Sequence, residues 1–328
     1  MIRFGIIGTN WITERLLSAI REMDDFSLTA VYSRSEERAR EFASKYGAAA
    51  IFTDIEQMAN SNEMDAVYIA SPNSLHAKQA ITFLSNGKHV LCEKPMASNT
   101  AEVEAMIQAA GQNHVLLMEA LKTTFLPNFK SIQENIHKIG RVRRYVANYC
   151  KYSSRYDAYK QGEVLNAFNP VFSNGSLMDL GVYGVYPMVV LFGEPVEIKA
   201  NSVMLESGVD GEGSLLATYR DMEAVIMHSK ISDSYVPSEI QGEEGSIIIN
   251  NISNPDKVEI RYRDGRREDI SIKDDKEAMY YEVKEFIDLI KTGQVESNVN
   301  SYQHSTITAK ILEDARKQFG LYYPADKV

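Results

Sequence analysis

Lys94 stands between Glu93 and Pro95, directly after the apolar run His89 to Cys92, and the proline biases it away from helical backbone. Asp179 and Tyr183 are four residues apart, so on a helix their side chains share one face and can point at one ligand. An ordinary phenol, with a pKa of about 10, is a poor base at neutrality, but a nearby ammonium favours phenolate. A lysine with a tyrosine and a carboxylate can therefore take a proton from a hydroxyl group and return it. Each also has a plainer reading: Lys94 as a surface lysine at a strand end, and Tyr183 as one of eighteen tyrosines, packing a core helix. The six histidines show no ligand pair at helical spacing, and Cys92 and Cys150 have no metal-ligand spacing. No metal is expected, and both cysteines are read as reduced packing residues.

The elements that must hold these groups follow from the pattern of apolar residues. Over the first 120 residues short β-branched runs alternate with helical periodicity, the signature of a doubly wound parallel sheet. Strands are expected at Ile2 to Ile7, Ser27 to Tyr32, Ile51-Phe52, Ala66 to Ala70, His89 to Cys92 and Val115 to Met118. Ile12, Leu16, Leu17 and Ile20 form one helical face, and Leu75, Ala80, Ile81 and Leu84 another. Lys94 then lies at the carboxyl end of a central strand, where open α/β sheets bind ligands.

The first strand leads into Gly8-Thr9-Asn10-Trp11-Ile12-Thr13, where a Gly-x-Gly-x-x-Gly phosphate loop would stand. Only Gly8 matches, but asparagine tolerates left-handed φ, so Asn10 is a workable substitute. A simple strand-to-helix turn also needs one glycine; the position at the head of a βαβαβ series favours a dinucleotide, contacted by Gly8, Thr9, Asn10, Trp11 and Ile12. The second strand ends in Tyr32-Ser33-Arg34-Ser35, with no acid to bond a ribose 2′-hydroxyl. Ser33, Arg34 and Arg38 suit a 2′-phosphate, which favours NADP while leaving NAD possible. Otherwise Arg34, Glu36, Glu37 and Arg38 are a solvated helix start.

After Glu119 the pattern changes. A helix is expected at Phe129 to His137, a strand at Val142 to Cys150, a Tyr/Asn/Ser-rich loop from Lys151 to Asn174 and a helix from Ser176 to Phe192. Runs at Val196 to Leu205, Ser214 to Arg220, Ala224 to Ile231, Ile247 to Asn250 and Val258 to Arg263 look antiparallel, with a two-residue turn at Asp264-Gly265. Helices at Lys276 to Lys291 and Tyr302 to Gln318 close the chain. The expected fold is α/β: a dinucleotide-binding (Rossmann) domain over 1–120 and, over 121–328, an α+β domain built on an open, mainly antiparallel sheet. Tyr152, Arg155, Tyr156, Asn166 and Asn169 could bond substrate hydroxyls from the loop.

Acidic residues outnumber basic ones, 45 to 35, and the net charge of -10 offers no footprint for nucleic acid or an anionic membrane. No uninterrupted apolar stretch of spanning length is evident, and Met1 runs into Arg3-Phe4-Gly5 without a signal-peptide layout, so a cytoplasmic location is expected. Ile247, Ile248 and Ile249, like Leu215 and Leu216, put apolar side chains on both faces of a strand, which predicts a homo-oligomer, a dimer or tetramer, assembled through that sheet.

Four ordered motifs carry a family resemblance. Besides the phosphate-loop start and Glu93-Lys94-Pro95, Ser71-Pro72-Asn73-Ser74-Leu75-His76 resembles a Thr-Pro-Asn-x-x-His segment. Asn174-Gly175-Ser176-Leu177-Met178-Asp179-Leu180-Gly181-Val182-Tyr183 resembles Gly-Gly-x-x-x-Asp-x-Gly-x-His/Tyr. These motifs are similar to those of the glucose-fructose oxidoreductase / inositol dehydrogenase (Gfo/Idh/MocA) family, in its tyrosine branch that includes dihydrodiol and xylose dehydrogenases. The resemblance implies a nicotinamide cofactor and reversible hydride transfer at a hydroxyl carbon of a sugar, inositol or related diol. It implies cofactor contacts at Ser71, Pro72, Asn73, His76, Glu93, Lys94 and Glu119, and catalysis and substrate contact by Lys94, Tyr183 and Asp179; from the polar loop, Arg155 and Asn166 are added as expected substrate contacts. Two rivals share the fold: a non-catalytic NADP-sensing regulator, and an enzyme that cleaves glycosides through transient nicotinamide redox.

Overall fold

The computed structural model describes residues 1–327, which divide into two compact units: Met1–Lys122 with Lys276–Ser305, and Thr123–Asp275 with Thr306 onward. The first unit opens with β1 (Ile2–Ile7), α1 (Trp11–Ala19), β2 (Phe26–Tyr32), α2 (Glu36–Tyr46), β3 (Ala50–Phe52), α3 (Ile55–Asn60) and β4 (Ala66–Ile69). It continues with α4 (His76–Ser85), β5 (His89–Glu93), α5 (Thr100–Asn113) and β6 (Leu117–Ala120). The six strands are all parallel, in the order β3-β2-β1-β4-β5-β6. Strand order reverses between β1 and β4, so the carboxyl ends of these strands flank the crevice where such sheets bind ligands. Ile6, Ile7, Val67, Ile69, Val90, Leu91, Leu117 and Met118 are all buried, the continuous apolar run of strands covered on both faces.

Two local expectations shift. The sixth strand starts at Leu117, not Val115, which puts Glu119 within it rather than after it. Leu75 is exposed, and α4 buries His76, Ala77, Gln79, Ala80, Phe83 and Leu84 instead, because the helix starts one residue later than its apolar pattern suggests.

The second unit contains α6 (Pro127–Asn135), β7 (Val142–Cys150), α7 (Tyr156–Lys160), α8 (Val182–Phe192), β8 (Glu197–Met204), β9 (Asp210–Thr218), β10 (Glu223–Ser229), β11 (Ser238–Gly242), β12 (Gly245–Ile249), β13 (Val258–Tyr262) and β14 (Arg267–Asp269). They form one sheet, β14-β13-β12-β11-β7-β10-β9-β8. All neighbours are antiparallel except β7 and β10, which run parallel, against the expectation for β10. The polar strands β11 and β14 carry too little apolar alternation to be seen in sequence; β14 is the edge, where charge is protective. The β13–β14 turn has three residues, with Tyr262 N donating to Arg266 O, so only Gly265 (φ 91°) is left-handed and a two-residue turn does not form.

Helix α8 lies directly on this sheet. A Cβ on Gly184 would stand 2.7 Å from Ile226 Cγ2 and 3.0 Å from the Ala147 Cβ, and Tyr145 Oη donates to Gly184 O. The segment Pro170–Phe192 has the length and hydropathy of a membrane span, contrary to the expectation that none exists, but 67% of its most apolar stretch is buried inside the protein.

The chain then returns to the first unit through α9 (Ala278–Lys291) and enters α10 (Tyr302–Gln318). A boundary at 120 with everything beyond it in one domain misplaces Lys276–Ser305. That segment is held in the first unit by Phe286 against Phe4, with ring centroids 5.9 Å apart, and by an ion pair between Lys291 and Asp25. An amphipathic helix this far along the sequence carries no mark of the unit it will cover.

Candidate active site

In the first unit the candidate residues gather at the carboxyl ends of β1, β2, β4, β5 and β6. Gly8 has φ 106°, and a Cβ there would lie 2.5 Å from Ala70 O, so the β1–α1 turn and the end of β4 approach to a distance only glycine allows. Asn10 is not left-handed as expected: its φ is −123°, and it caps α1, Oδ1 accepting from Ile12 N and Thr13 N while Nδ2 donates 2.7 Å to Ala70 O. Thr13 occupies the last glycine position of the fingerprint, buried and donating 2.6 Å to Gly8 O. Thr9 and Ile12 are half-buried, and Trp11 is exposed at the first turn of α1. At the end of β2, Ser33 Oγ accepts from Ser35 N, and Ser35 caps α2. Arg34 and Arg38 are exposed, and neither makes an ion pair among the described residues, whereas nearby Arg40 pairs with Glu36.

The loops after β4 and β5 are tied together. His76 is fully buried, its Nε2 2.8 Å from Ser71 O and its Nδ1 3.0 Å from Pro95 O. Burial lowers its pKa, so the ring is neutral and donates to one of these carbonyls. Its side chain therefore joins two loops. Ser71 Oγ donates to Gln79 Oε1, and Pro72 and Asn73 form a half-buried turn into α4.

The two glutamates are likewise turned inward. Glu93 Oε1 accepts from Tyr68 Oη at 2.6 Å, and Oε2 from Lys94 N at 3.2 Å. Glu119 Oε1 accepts from Met96 N at 3.0 Å, and Oε2 from Ser305 Oγ at 2.7 Å. Burial raises both pKa values, that of Glu119 to about 7. Their carboxyl groups fix the loop that carries Lys94 and the cis Lys94–Pro95 peptide. Lys94 is half-buried amid buried neighbours.

In the second unit Asp179 lies in a single π-helical turn, Leu177–Gly181, that runs into α8; Tyr183 is in the first turn of α8, edge-to-face with Tyr149 at 5.4 Å. Such turns recur at functional sites. Behind it is a polar network that sequence reasoning missed. Asp210 Oδ2 accepts from Leu177 N at 2.6 Å, and His228 Nδ1 stands 2.9 Å from Ser176 Oγ. Burial raises the Asp210 pKa to about 6 and lowers that of His228 to about 3, so the 3.8 Å approach of these two is no ion pair. Lys230, itself buried, pairs with Asp179 Oδ2 at 2.9 Å. Tyr323 Oη donates to Asn174 O at the start of the turn. The signal was present in the sequence: Ala224, Ile226, His228 and Lys230 share one strand face, so a histidine and a lysine continue a core-facing register.

Of the proposed substrate contacts, Arg155 is exposed before α7 and Asn166 is exposed at the start of a short turn. Tyr152 bonds Asp157, and Asn169 caps the turn at Val171, so both are engaged locally. Among the described residues no group of three His, Cys, Asp or Glu is placed to hold a metal.

Residues 2–121 match the model of the oxidoreductase family with an NAD-binding Rossmann fold, and residues 133–248 match the GFO/IDH/MocA C-terminal domain. The chain is 62% identical, over 100% of both chains, to a scyllo-inositol 2-dehydrogenase (NADP(+)) of Bacillus subtilis. It is 29% identical, over 99% of both, to a trans-1,2-dihydrobenzene-1,2-diol dehydrogenase of Mus musculus. Its fold is that of a 3-ketoreductase from Actinomadura kijaniata, solved with NADP, at TM-score 0.84 and 23% identity over 98% of this chain and 99% of that one. The chain belongs to the Gfo/Idh/MocA family and is an NAD(P)-dependent oxidoreductase acting on CH–OH groups.

Proposed function

We propose that the chain interconverts a ring hydroxyl of an inositol-like cyclic polyol and the corresponding ketone, with NADP as cofactor. The observation that carries this reading is the end-to-end 62% identity to the scyllo-inositol 2-dehydrogenase. The first unit is the cofactor domain and the second the substrate and assembly domain. Residues fit the dinucleotide: the Gly8 turn leaves no Cβ between β1 and the end of β4, α1 begins there, and Arg34 and Arg38 stand at the end of β2.

Held by the Gly8 turn, the start of α1 and Arg34 with Arg38, a nicotinamide dinucleotide would supply hydride acceptance and donation at the hydroxyl carbon. Tyr183, as phenolate, accepts the hydroxyl proton in oxidation and as phenol returns it in reduction. The Lys94 ammonium stabilises the substrate oxygen as charge develops. Asp179 accepts a hydrogen bond from a substrate hydroxyl and orients it. Arg155 and Asn166 are further substrate contacts.

We further propose that the enzyme works as a homodimer or homotetramer through the open sheet face of the second unit. Leu216, Val225 and Val146 stand side by side there, opposite in register to the helix-covered Ala147 and Ile226. Two free cysteines, Cys92 and Cys150, fit a reducing cytoplasm. The test is a turnover screen of scyllo-inositol, myo-inositol, D-xylose and a trans-dihydrodiol with NADP⁺ and NAD⁺, read by reduced-nicotinamide absorbance. Net reduction of NADP⁺ with an inositol is expected; a protein that binds NADP but reduces it with none of them would overturn the reading.

A further inference from the structure

Lys230 follows β10 and is 2% exposed, an unusual place for an ammonium group. It is fully satisfied there. Nζ donates to Ala167 O at 3.0 Å, to Asn174 Oδ1 at 3.3 Å and meets Asp179 Oδ2 at 2.9 Å, one acceptor for each of its three hydrogens. It also stands 5.3 Å above the Phe168 ring. Asp179 is on a different footing, its side chain 37% exposed. A buried cation thus grips one oxygen of a carboxylate that is itself partly exposed.

We infer that Lys230 is a positioning residue for the reaction, holding the Asp179 carboxylate in the single orientation that receives the substrate hydroxyl. With its three hydrogens committed, Lys230 has none for substrate and acts only through Asp179. The same ammonium joins the Asn166–Phe168 turn to the Asn174–Gly175 turn, so the segment before the π turn and the carboxylate within it are set by one group. The inference rests on the role proposed for Asp179 and goes beyond it.

The test is a double-mutant cycle on the full-length enzyme, with Lys230→Met, Asp179→Asn and the pair, measuring kcat and KM for the polyol and NADPH affinity by fluorescence. Lys230→Met keeps the stem against Phe168 and removes the charge. It is expected to lower kcat/KM at least tenfold, with KM for the polyol raised and NADPH affinity within twofold. In the Asp179→Asn background it should cost less than twofold. If Lys230→Met does not fold, Lys230→Gln serves, since its amide still donates to Ala167 O while losing the charge. Near-normal kcat/KM in the Lys230 variant, or the same tenfold loss in both backgrounds, overturns the inference. Near-normal turnover in Asp179→Asn instead strikes the role of Asp179, and the inference with it, whereas a crippled Asp179→Asn beside a normal Lys230→Met strikes the inference alone.

Discussion

In the first unit the loop bearing Lys94 is gripped by buried carboxyl groups that take backbone and hydroxyl hydrogens, Glu93 from Lys94 N and Tyr68, Glu119 from Met96 N and Ser305. In the second unit the turn bearing Asp179 is gripped by side chains far away in sequence: Asp210, His228, Lys230 and Tyr323. Both devices bury titratable groups, but to different ends. The first unit fixes a loop already placed by a parallel sheet, whose strand ends converge at the switch point. The second has no such convergence and must fix one helical turn by tertiary contacts, which includes a carboxylate–ammonium pair.

The largest effect separating the two halves should come from Lys94→Ala. Turnover is expected to fall about 10²- to 10⁴-fold, the usual worth of a group engaged in proton transfer, while NADPH still binds through the β1–α1 turn. Tyr183→Phe should lower kcat more than it changes cofactor affinity, and the double variant should be little worse than the more damaging single one. Stopped-flow hydride transfer and fluorescence titration measure the two quantities separately, and near-normal turnover in Lys94→Ala would remove Lys94 from the chemistry.

Glu119 sharpens the comparison through pH. Its folded pKa, about 7, lies above its ordinary 4.5 because of burial, so the folded protein keeps a proton that the unfolded chain has lost. Stability from this group is therefore full below pH 4.5, declines as pH rises to about 7, and is level beyond, a loss of roughly 3 kcal/mol. Glu119→Gln keeps an oxygen for Met96 N and offers an N–H to Ser305 Oγ. Urea midpoints measured from pH 5 to 8 should flatten in this variant. In the second unit Asp210→Asn should gain less, because the added N–H lies where Oδ1 has no hydrogen-bond partner among the described residues. Equal gains in both variants would contradict the difference drawn between the two devices.

Gly175→Ala breaks the second device at its centre. Gly175 has φ 153°, and a Cβ there would lie 2.0 Å from Asp210 Oδ1, so either the turn or the carboxylate must move. A loss of about 2 to 3 kcal/mol is expected in thermal or urea unfolding, with kcat/KM for the polyol reduced and NADPH affinity kept. An unchanged midpoint would show the turn to be more yielding than its contacts imply.

These two halves also differ in how far the sequence reveals them. Continuous apolar strands, helical stripes and short connections made the parallel sheet legible, and Glu93-Lys94-Pro95 at a strand end marked its crevice. The inward direction of the Glu93, Glu119 and His76 side chains was not legible, because a side chain's direction at a strand end depends on loops that periodicity does not describe. Asp179 and Tyr183 were singled out by their four-residue spacing together with the motif resemblance. Their support was missed, since the partners of the turn that bears Asp179 are contributed by β9, β10 with Lys230 after it, and the segment after α10, and nothing local in the sequence announces such pairings. Only the alternation Ala224, Ile226, His228, Lys230 held a usable hint.

The smallest expected effect tests whether the β1–α1 turn of the first unit is rigid for its own sake or for the cofactor. Asn10 Oδ1 accepts from Ile12 N and Thr13 N, two of the donors that the start of α1 would otherwise present to a phosphate, and Nδ2 ties the turn to Ala70 O. Asn10→Ala removes cap and tie, and should cost about 1 kcal/mol, read as a fall of a few degrees in Tm. Asn10→Asp keeps the cap, since an aspartate oxygen accepts the same two hydrogens and suits the positive end of a helix, but it also loses the tie and turns an oxygen toward Ala70 O, so it should be no more stable than Asn10→Ala. Its negative charge, however, stands where the pyrophosphate would approach, and NADPH affinity should drop at least tenfold, an effect that salt weakens. Both variants lose the tie and only one adds charge, so comparing them parts folding from binding. If Asn10→Asp binds NADPH as the natural residue does, the pyrophosphate does not approach this helix start, and the contacts assigned to Gly8, Thr9, Asn10, Trp11 and Ile12 must be redrawn.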